Sequence, residues 1–457
     1  MVLKRILKEY LENSTLHGAK FLVDEDSKWF EKLFWIICIA VSWFASGMLI
    51  SASLDAFENN AISFVVETSY RDWNTNFPAI VICETKNSDR MQDIANKIWG
   101  TDHDFALEEV LAELTYFRGE SFHTINECTG DNEDQINGCF TSNFSYYAKL
   151  ARSPCSKTID SCFWNDEPFN CCEYFQPMET EIGICYALNS LQVENKKARK
   201  LNMISNKYTS LGNLKMDVLT EVNIYTLGEE DVPTLITSNT DKLEIRLYVS
   251  HTRLITIKNI ENAEGTREVD VKQRNCRFND ENFLNVYSHY SYSACTVQCR
   301  KDQQLAMCNC TSHLTPNTPD ELFCNMTGLI CLNTHYDDLS VIIPKWSRNR
   351  KGLICNCLPS CTEVDISIVH DSVDKYDLNS NYISRVEIGL AALPTERYKR
   401  NVVRGKLDLV VSMGGTTGLF VGASLLSFVE IIYYFTIRPY GTMLAEKRRK
   451  KMFRRFF

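Results

Sequence analysis

Two apolar stretches about 350 residues apart set the limits on what this chain can fold into. The first, "LFWIICIAVSWFASGMLISASL" (Leu33–Leu54), carries no charged residue. At about 1.5 Å of rise per residue, a helix of that length covers a hydrocarbon core of roughly 30 Å. The second, Leu409–Ile437, is broken by one charge, Glu430. Between them lies mixed polar and apolar sequence of the water-exposed, folded kind. The 32 residues before Leu33 are too long and too charged for a cleavable leader, so the first stretch is expected to remain as a signal anchor. Two spans put both tails on one side. The tail "EKRRKKMFRRFF" is strongly basic, which assigns that side to the cytoplasm. The expected order is a cytoplasmic tail (1–32), a first span (33–54), an extracellular domain (55–408), a second span (409–437) and a basic cytoplasmic tail (438–457). The expected location is the plasma membrane.

The cysteines argue for the same topology. Nineteen are present; Cys38 lies in the first apolar stretch and the other eighteen fall between Cys83 and Cys361. A dense, even set fits disulfides in an oxidising compartment. Zinc would require well-spaced CxxC pairs, which are missing. Asn143, Asn309 and Asn325 begin glycosylation sequons in the same region, whereas Asn13 begins one on the expected cytoplasmic side and should stay bare.

The net charge of −9 divides into about −15 for the loop, −1 for the second apolar stretch and +7 for the C-terminal tail, with the N-terminal tail balanced. An acidic outer surface concentrates cations weakly and is screened by salt, and ordinary solubility explains it equally well. The basic tail suits contact with anionic membrane lipid. Nothing in the composition suggests a nucleic-acid partner. HExxH, GxSxG and Walker sequences are absent and the eight histidines are scattered, so neither an enzyme, a metal site nor a cofactor is expected.

Along the loop, "ISFVVETSY", "FPAIVICE", "NIYTLG", "LEIRLYVS" and "REVDVKQ" read as strands, being rich in β-branched and aromatic residues. Asp89–Phe117 has apolar spacing near 3.6 and reads as helical. Cys128–Cys172 reads as cysteine-rich loop. Strands mixed irregularly with helices imply an α+β domain. In "STLHGAKFL", Gly18 reads as a turn residue.

The stretch from Cys276 to Cys361 is a ladder of ten cysteines. Cys295 and Cys299 are four apart, on one face of a helix. If two antiparallel legs lie side by side, the nested pairs are Cys276–Cys361, Cys295–Cys357, Cys299–Cys355, Cys308–Cys331 and Cys310–Cys324. A rod stapled in this way would be stiff enough to transmit movement toward the membrane.

Taken together, "STLHG" before the first span, "FPAIVIC" after it, "YSYSACTVQC…CNC…CNCLPSC" and "GLFVGASLLSFVEIIYY" resemble the degenerin/epithelial sodium channel family, most closely its insect pickpocket branch. They occur in the family's order and spacing over nearly the whole chain. The resemblance implies a trimeric channel with two transmembrane helices per subunit. These flank a large, disulfide-rich α+β extracellular domain shaped like a hand, with palm, β-ball, finger, knuckle and thumb. The ladder (about 276–361) would be the thumb, and Cys83 would pair with Cys185. Cys128, Cys139, Cys155, Cys162, Cys171 and Cys172 then remain, with fifteen possible connectivities.

Gly414, Gly418 and Gly422 are spaced four apart, a smooth stripe on a helix. Such a stripe suits close helix packing. It also suits a narrow pore if three copies meet on an axis, because backbone carbonyls lining water can replace part of an ion's hydration shell. By the resemblance, Gly422-Ala423-Ser424 is the selectivity filter, His17–Gly18 the cytoplasmic gating motif, and Ser412 the small residue whose enlargement holds such channels open. Glu430 is costly in lipid and should face water, a partner or the pore; three copies would form an inner anionic ring.

The function these readings imply is a pore-forming subunit of an amiloride-sensitive, sodium-permeable cation channel. Its partners would be sodium ions, homologous subunits in a homo- or heterotrimer, and a small-molecule, peptide or mechanical stimulus of sensory kind. The alternative is an auxiliary or non-conducting subunit that works only beside homologues. An ATP-gated channel would need lysines gathered for a triphosphate, and a two-span receptor gives no reason for Gly422-Ala423-Ser424.

Overall fold

The computed structural model describes residues 2–68, 73–129, 138–193, 201–347, 350–375 and 383–456. The chain divides into two compact units, one of Met1–Ser63, Ala263–Arg274 and Arg400–Phe457, the other of Phe64–Asn262 and Asn275–Lys399.

The second unit is built on the run "AIVIC". All five residues, Ala79–Cys83, are fully buried. Side chains alternate across a strand, so Ile80 and Ile82 join one apolar cluster while Val81 and Cys83 join another. Burying each such side chain contributes roughly 1.5–3 kcal/mol. Strand Ala79–Lys86 is thus the centre of a five-stranded sheet, in the order Lys242–Ile245, Glu221–Leu227, Ala79–Lys86, Gly183–Leu188, Gln176–Thr180. An eight-stranded sheet has Val249–Asn262 as its longest member, paired antiparallel to Val364–Lys375 and parallel to Ser384–Leu390. Helices Ser88–Trp99, Phe105–Thr115 and Phe144–Ala151 pack together through Ile94, Leu111, Leu114 and Phe144.

Nine disulfides staple this unit. Cys83–Cys185 joins adjacent strands of the five-stranded sheet. Cys276–Cys361, Cys295–Cys357, Cys299–Cys355, Cys308–Cys331 and Cys310–Cys324 form a nested series. Helix Tyr292–Cys308 carries three of these cysteines; Ser291 caps its start, accepting from Ala294 N at 3.1 Å. The remaining pairs are Cys128–Cys139, Cys155–Cys172 and Cys162–Cys171.

Three sequence expectations need correction. "REVDVKQ" is not a strand: Glu264–Glu268 is a 3-10 turn and Val271–Arg274 a helical turn. Asp270 caps that turn, its carboxylate accepting from Lys272 N at 3.0 Å and its carbonyl from Gln273 and Arg274 N. "LEIRLYVS" is two strands, parted where Tyr248 takes a positive φ of 66°. Cys128–Cys172 is more than loop, containing helix Phe144–Ala151 and the hairpin Ile159–Trp164/Glu167–Asn170; within it, residues 130–137 lie outside the described residues. Ser69 and Tyr70, the end of the strand read from Ile62, also lie outside them, as do Met1 and Phe457.

Among the described residues of the first unit one helix, Trp29–Asn59, is long and apolar enough to cross a membrane. Lys406–Val421 and Leu425–Ala445 pass the same test only as a pair, bent by 68° at the break between them. Helix Val2–Asn13 precedes them in sequence.

Candidate functional site

The interruption of the second apolar segment arises from two residues with opposite effects on a helix. Helix Lys406–Val421 ends because Gly422 enters the left-handed region at φ +73°. Gly422 N still reaches Gly418 O (3.1 Å) and Ala423 N reaches Thr417 O (3.3 Å), as in glycine-terminated helices. Ser424 then begins the next helix. Its Oγ accepts from Ser427 N (3.4 Å), and Ser427 Oγ accepts from Ser424 N (2.9 Å).

A helix end leaves carbonyls without intrahelical partners. One of them, Val421 O, accepts from His17 N at 3.0 Å. The His17 ring lies against Gly422, where an added Cβ would come 2.5 Å from His17 Cδ2. Thr15 Oγ1 lies 2.8 Å from Ser427 Oγ and 3.0 Å from Glu430 Oε2; Thr15 N donates to the same carboxylate oxygen at 3.4 Å. Gly18, at φ +79°, turns the chain into the 3-10 segment Ala19–Leu22. A Cβ on Gly18 would meet Trp35 at 3.1 Å and Ile39 at 3.3 Å. Phe21 stacks on Trp35 at 4.4 Å. The "STLHG" loop therefore touches both the first apolar helix and the break in the second.

The contacts continue past the break. Tyr10 packs edge-on against Tyr434 (5.8 Å between ring centroids) and beside Phe435 (5.6 Å). Glu9 pairs with Arg438. Lys8 is bonded to Glu25, which holds the ammonium above its usual range and the carboxylate below.

Ser412 Oγ lies 3.1 Å from Ser53 Oγ, where the two apolar helices touch. A Cβ on Gly414 or Gly418 would meet no atom within 4 Å among the described residues. The glycine stripe is therefore not the surface by which these two helices pack. Asn143, Asn309 and Asn325 are all exposed.

Sequence reasoning singled out His17, Gly18, Gly422, Ala423, Ser424 and Glu430, and the structure gathers them at one place. It missed Thr15, Ser427, Glu9 and Tyr10. A signal for Thr15 existed: a lone carboxylate in an apolar stretch needs a donor, and "STLHG" supplies a hydroxyl. Chemically, the break offers hydroxyl, carbonyl and carboxylate oxygens within apolar surroundings, the ligand type that suits hard cations.

A family model described as "Amiloride-sensitive sodium channel" matches residues 10–434. The chain is 23% identical to Sodium channel protein Nach of Drosophila melanogaster, over 95% of this chain and 88% of that one. It is also 23% identical to Pickpocket protein 28 of the same organism, over 98% of this chain and 81% of the relative. Acid-sensing ion channel 4 of Mus musculus is 29% identical over 35% of this chain and 32% of its own length. Among solved structures, a proton-activated chloride channel aligns at 6% identity with a TM-score of 0.28, which is too low to inform the fold. With 425 of its 457 residues inside the family match, the chain belongs to the amiloride-sensitive sodium channel family, the degenerin/epithelial sodium channel family.

Proposed function

We propose that the chain is a pore-forming subunit of a trimeric, sodium-permeable, amiloride-blocked channel of the plasma membrane, opened by an extracellular chemical or mechanical stimulus. Both apolar segments cross the bilayer and both tails are cytoplasmic. The carrying observation is the break at Gly422–Ser424, an apolar segment interrupted by polar backbone and fixed there by His17 and Thr15. Such backbone is tolerated at membrane depth where it lines water.

Around a three-fold axis, Gly422, Ala423 and Ser424 form the narrow ring that selects the ion. Gly414 and Gly418 line the pore beyond it, which accounts for the space beside them. Ser412 sits where enlargement would push the two helices apart. The "STLHG" loop supports the ring from the cytoplasmic side, and Glu430 contributes charge just inside it. Movement of the disulfide ladder drives the two spans.

The test is current in oocytes expressing the wild type or Ser412→Val, recorded in sodium and in potassium, with and without amiloride. A sodium-preferring, amiloride-blocked current from the variant is expected. Silence despite surface delivery, followed by current on co-expression with a homologue, would move the reading to an obligate heteromeric subunit.

A further inference from the structure

The second apolar segment has a further weak point beyond the break at Gly422. The sequence "TIRPYG" (Thr436–Gly441) sets the two poorest helix formers, Pro439 and Gly441, close together. Pro439 has no N–H to offer the carbonyl of Phe435, four residues before it, and its ring crowds that carbonyl. The chain widens there. Between helices Leu425–Ile432 and Arg438–Phe456, residues Tyr433–Ile437 form a π-helical turn in which Arg438 N bonds Tyr433 O, five residues back. Single π turns are rare, recur at functional sites and are places where helices bend.

Helix Val2–Asn13 lies against this turn, and both belong to the first unit. Tyr10 is 6% exposed, its ring packed on Tyr434 and Phe435. One residue earlier, Glu9 pairs with Arg438, whose guanidinium also lies 5.4 Å from the Tyr434 ring centroid. Adjacent residues of one helix thus grip the turn at its middle and just past its end. Lys8, bonded to Glu25, ties the same helix to the segment leading into Trp29–Asn59. A few residues beyond Tyr10, Thr15 holds Ser427 and Glu430, and His17 holds Val421. Residues 9–17 therefore touch the second segment at both of its weak points, on either side of helix Leu425–Ile432.

We propose that helix Val2–Asn13 is a splint on the π turn, and that through the short chain to Thr15 and His17 it makes the turn and the break at Gly422 move together. The grip stands on the contacts alone; its effect on gating rests on the channel reading above. A released turn would let helix Leu425–Ile432 reorient and pull Ser427 and Glu430 away from Thr15. The splint acts through the ring and never on the ion. It should set how often the pore opens and leave the preference for sodium over potassium alone.

The grip is tested apart from current, in membranes from cells expressing the full-length chain with Cys38→Ser. The pair Tyr10→Cys/Phe435→Cys is treated with a short bis-maleimide, fully reduced and digested. Mass spectrometry is expected to find the two peptides joined, and adding Glu9→Arg is expected to cut the joined fraction at least threefold. Two cysteines that each react but are never joined would overturn the proposal. Joining in a chain that passes no current would support the splint and remove the pore reading instead. Where current is present, Glu9→Arg and Arg438→Glu each set like charges face to face. Each is expected to change open probability at least threefold, both in the same direction, with ion preference unchanged. The exchanged pair Glu9→Arg/Arg438→Glu is expected to return to the parent value. Simple addition of the two effects in the exchanged pair, or a changed ion preference in either single variant, would overturn the proposal.

Discussion

Replacing Gly422 by alanine would place a methyl group 2.5 Å from His17 Cδ2, on a backbone at φ +73°. The left-handed conformation alone costs an L-residue roughly 1–2 kcal/mol, and the ring contact adds to it. Gly422→Ala is therefore expected to abolish or strongly reduce current per channel at the surface. His17→Ala removes the ring but leaves the bond from its amide to Val421 O. The double variant should accordingly be less impaired than the two single losses combined; strict additivity would show that the contact is not the cause. Glu430 allows a cleaner separation of charge from hydrogen bonding. Glutamine can still accept from Thr15, so Glu430→Gln removes charge and keeps the bond. Single-channel conductance should fall with Glu430→Gln if the carboxylate draws cations. Thr15→Val should instead change open probability, and unchanged conductance in Glu430→Gln would remove the anionic ring from the mechanism.

Packing between elements sets the response of the second unit to acid. His313 is buried among Leu114, Phe117 and Phe144, and its Nε2 lies 2.8 Å from Leu114 O. Its Nδ1 is buried without a hydrogen-bond partner among the described residues. Burial lowers its pKa to about 4, and the bond to Leu114 pulls the other way. A folded-state value below the unfolded value of about 6.5 gives stability that is complete above that value and lost as pH falls toward 4. The shift corresponds to about 3 kcal/mol. Melting temperature should fall across this window, and His313→Gln, which keeps a donor for Leu114 O, should flatten the fall. A wild-type slope that matches the variant's would assign the acid response to other groups. Legibility divides at the same scale. The strand "AIVIC" and the nesting of the ladder are readable because alternation and cysteine order are local patterns. The other six cysteines pair through a hairpin and helices that loop-like composition does not announce. "REVDVKQ" misleads because its alternating valines suit a strand while Asp270 caps a turn. His17 meets Val421, and Thr15 meets Glu430, across some four hundred residues, so no local pattern marks either contact.

For the whole molecule, the side on which each tail lies follows from whether the bent helix pair crosses the bilayer or returns to the face it came from. One uninterrupted apolar helix and one pair bent by 68° are compatible with either arrangement by length and composition. The basic residues after Arg438 favour a crossing that ends in the cytoplasm. Glycans report the outcome directly. Asn143, Asn309 and Asn325 are exposed, and Asn325 uses its Oδ1, not the amide nitrogen that carries a glycan, to cap Gly328 N at 3.0 Å. Asn13 instead donates that nitrogen to Glu9 O at 2.8 Å, within the N-terminal helix. With two crossings, enzymatic deglycosylation should lower the apparent mass. Asn143→Gln, Asn309→Gln and Asn325→Gln should each remove one step, and Asn13→Gln should remove none. An epitope placed after Phe457 should be stained only in permeabilised cells. Staining of intact cells with the three glycans still present would mean that the bent pair returns to the outer face. The ring at Gly422–Ser424 would then be a re-entrant loop, and the proposed pore would lose its second wall.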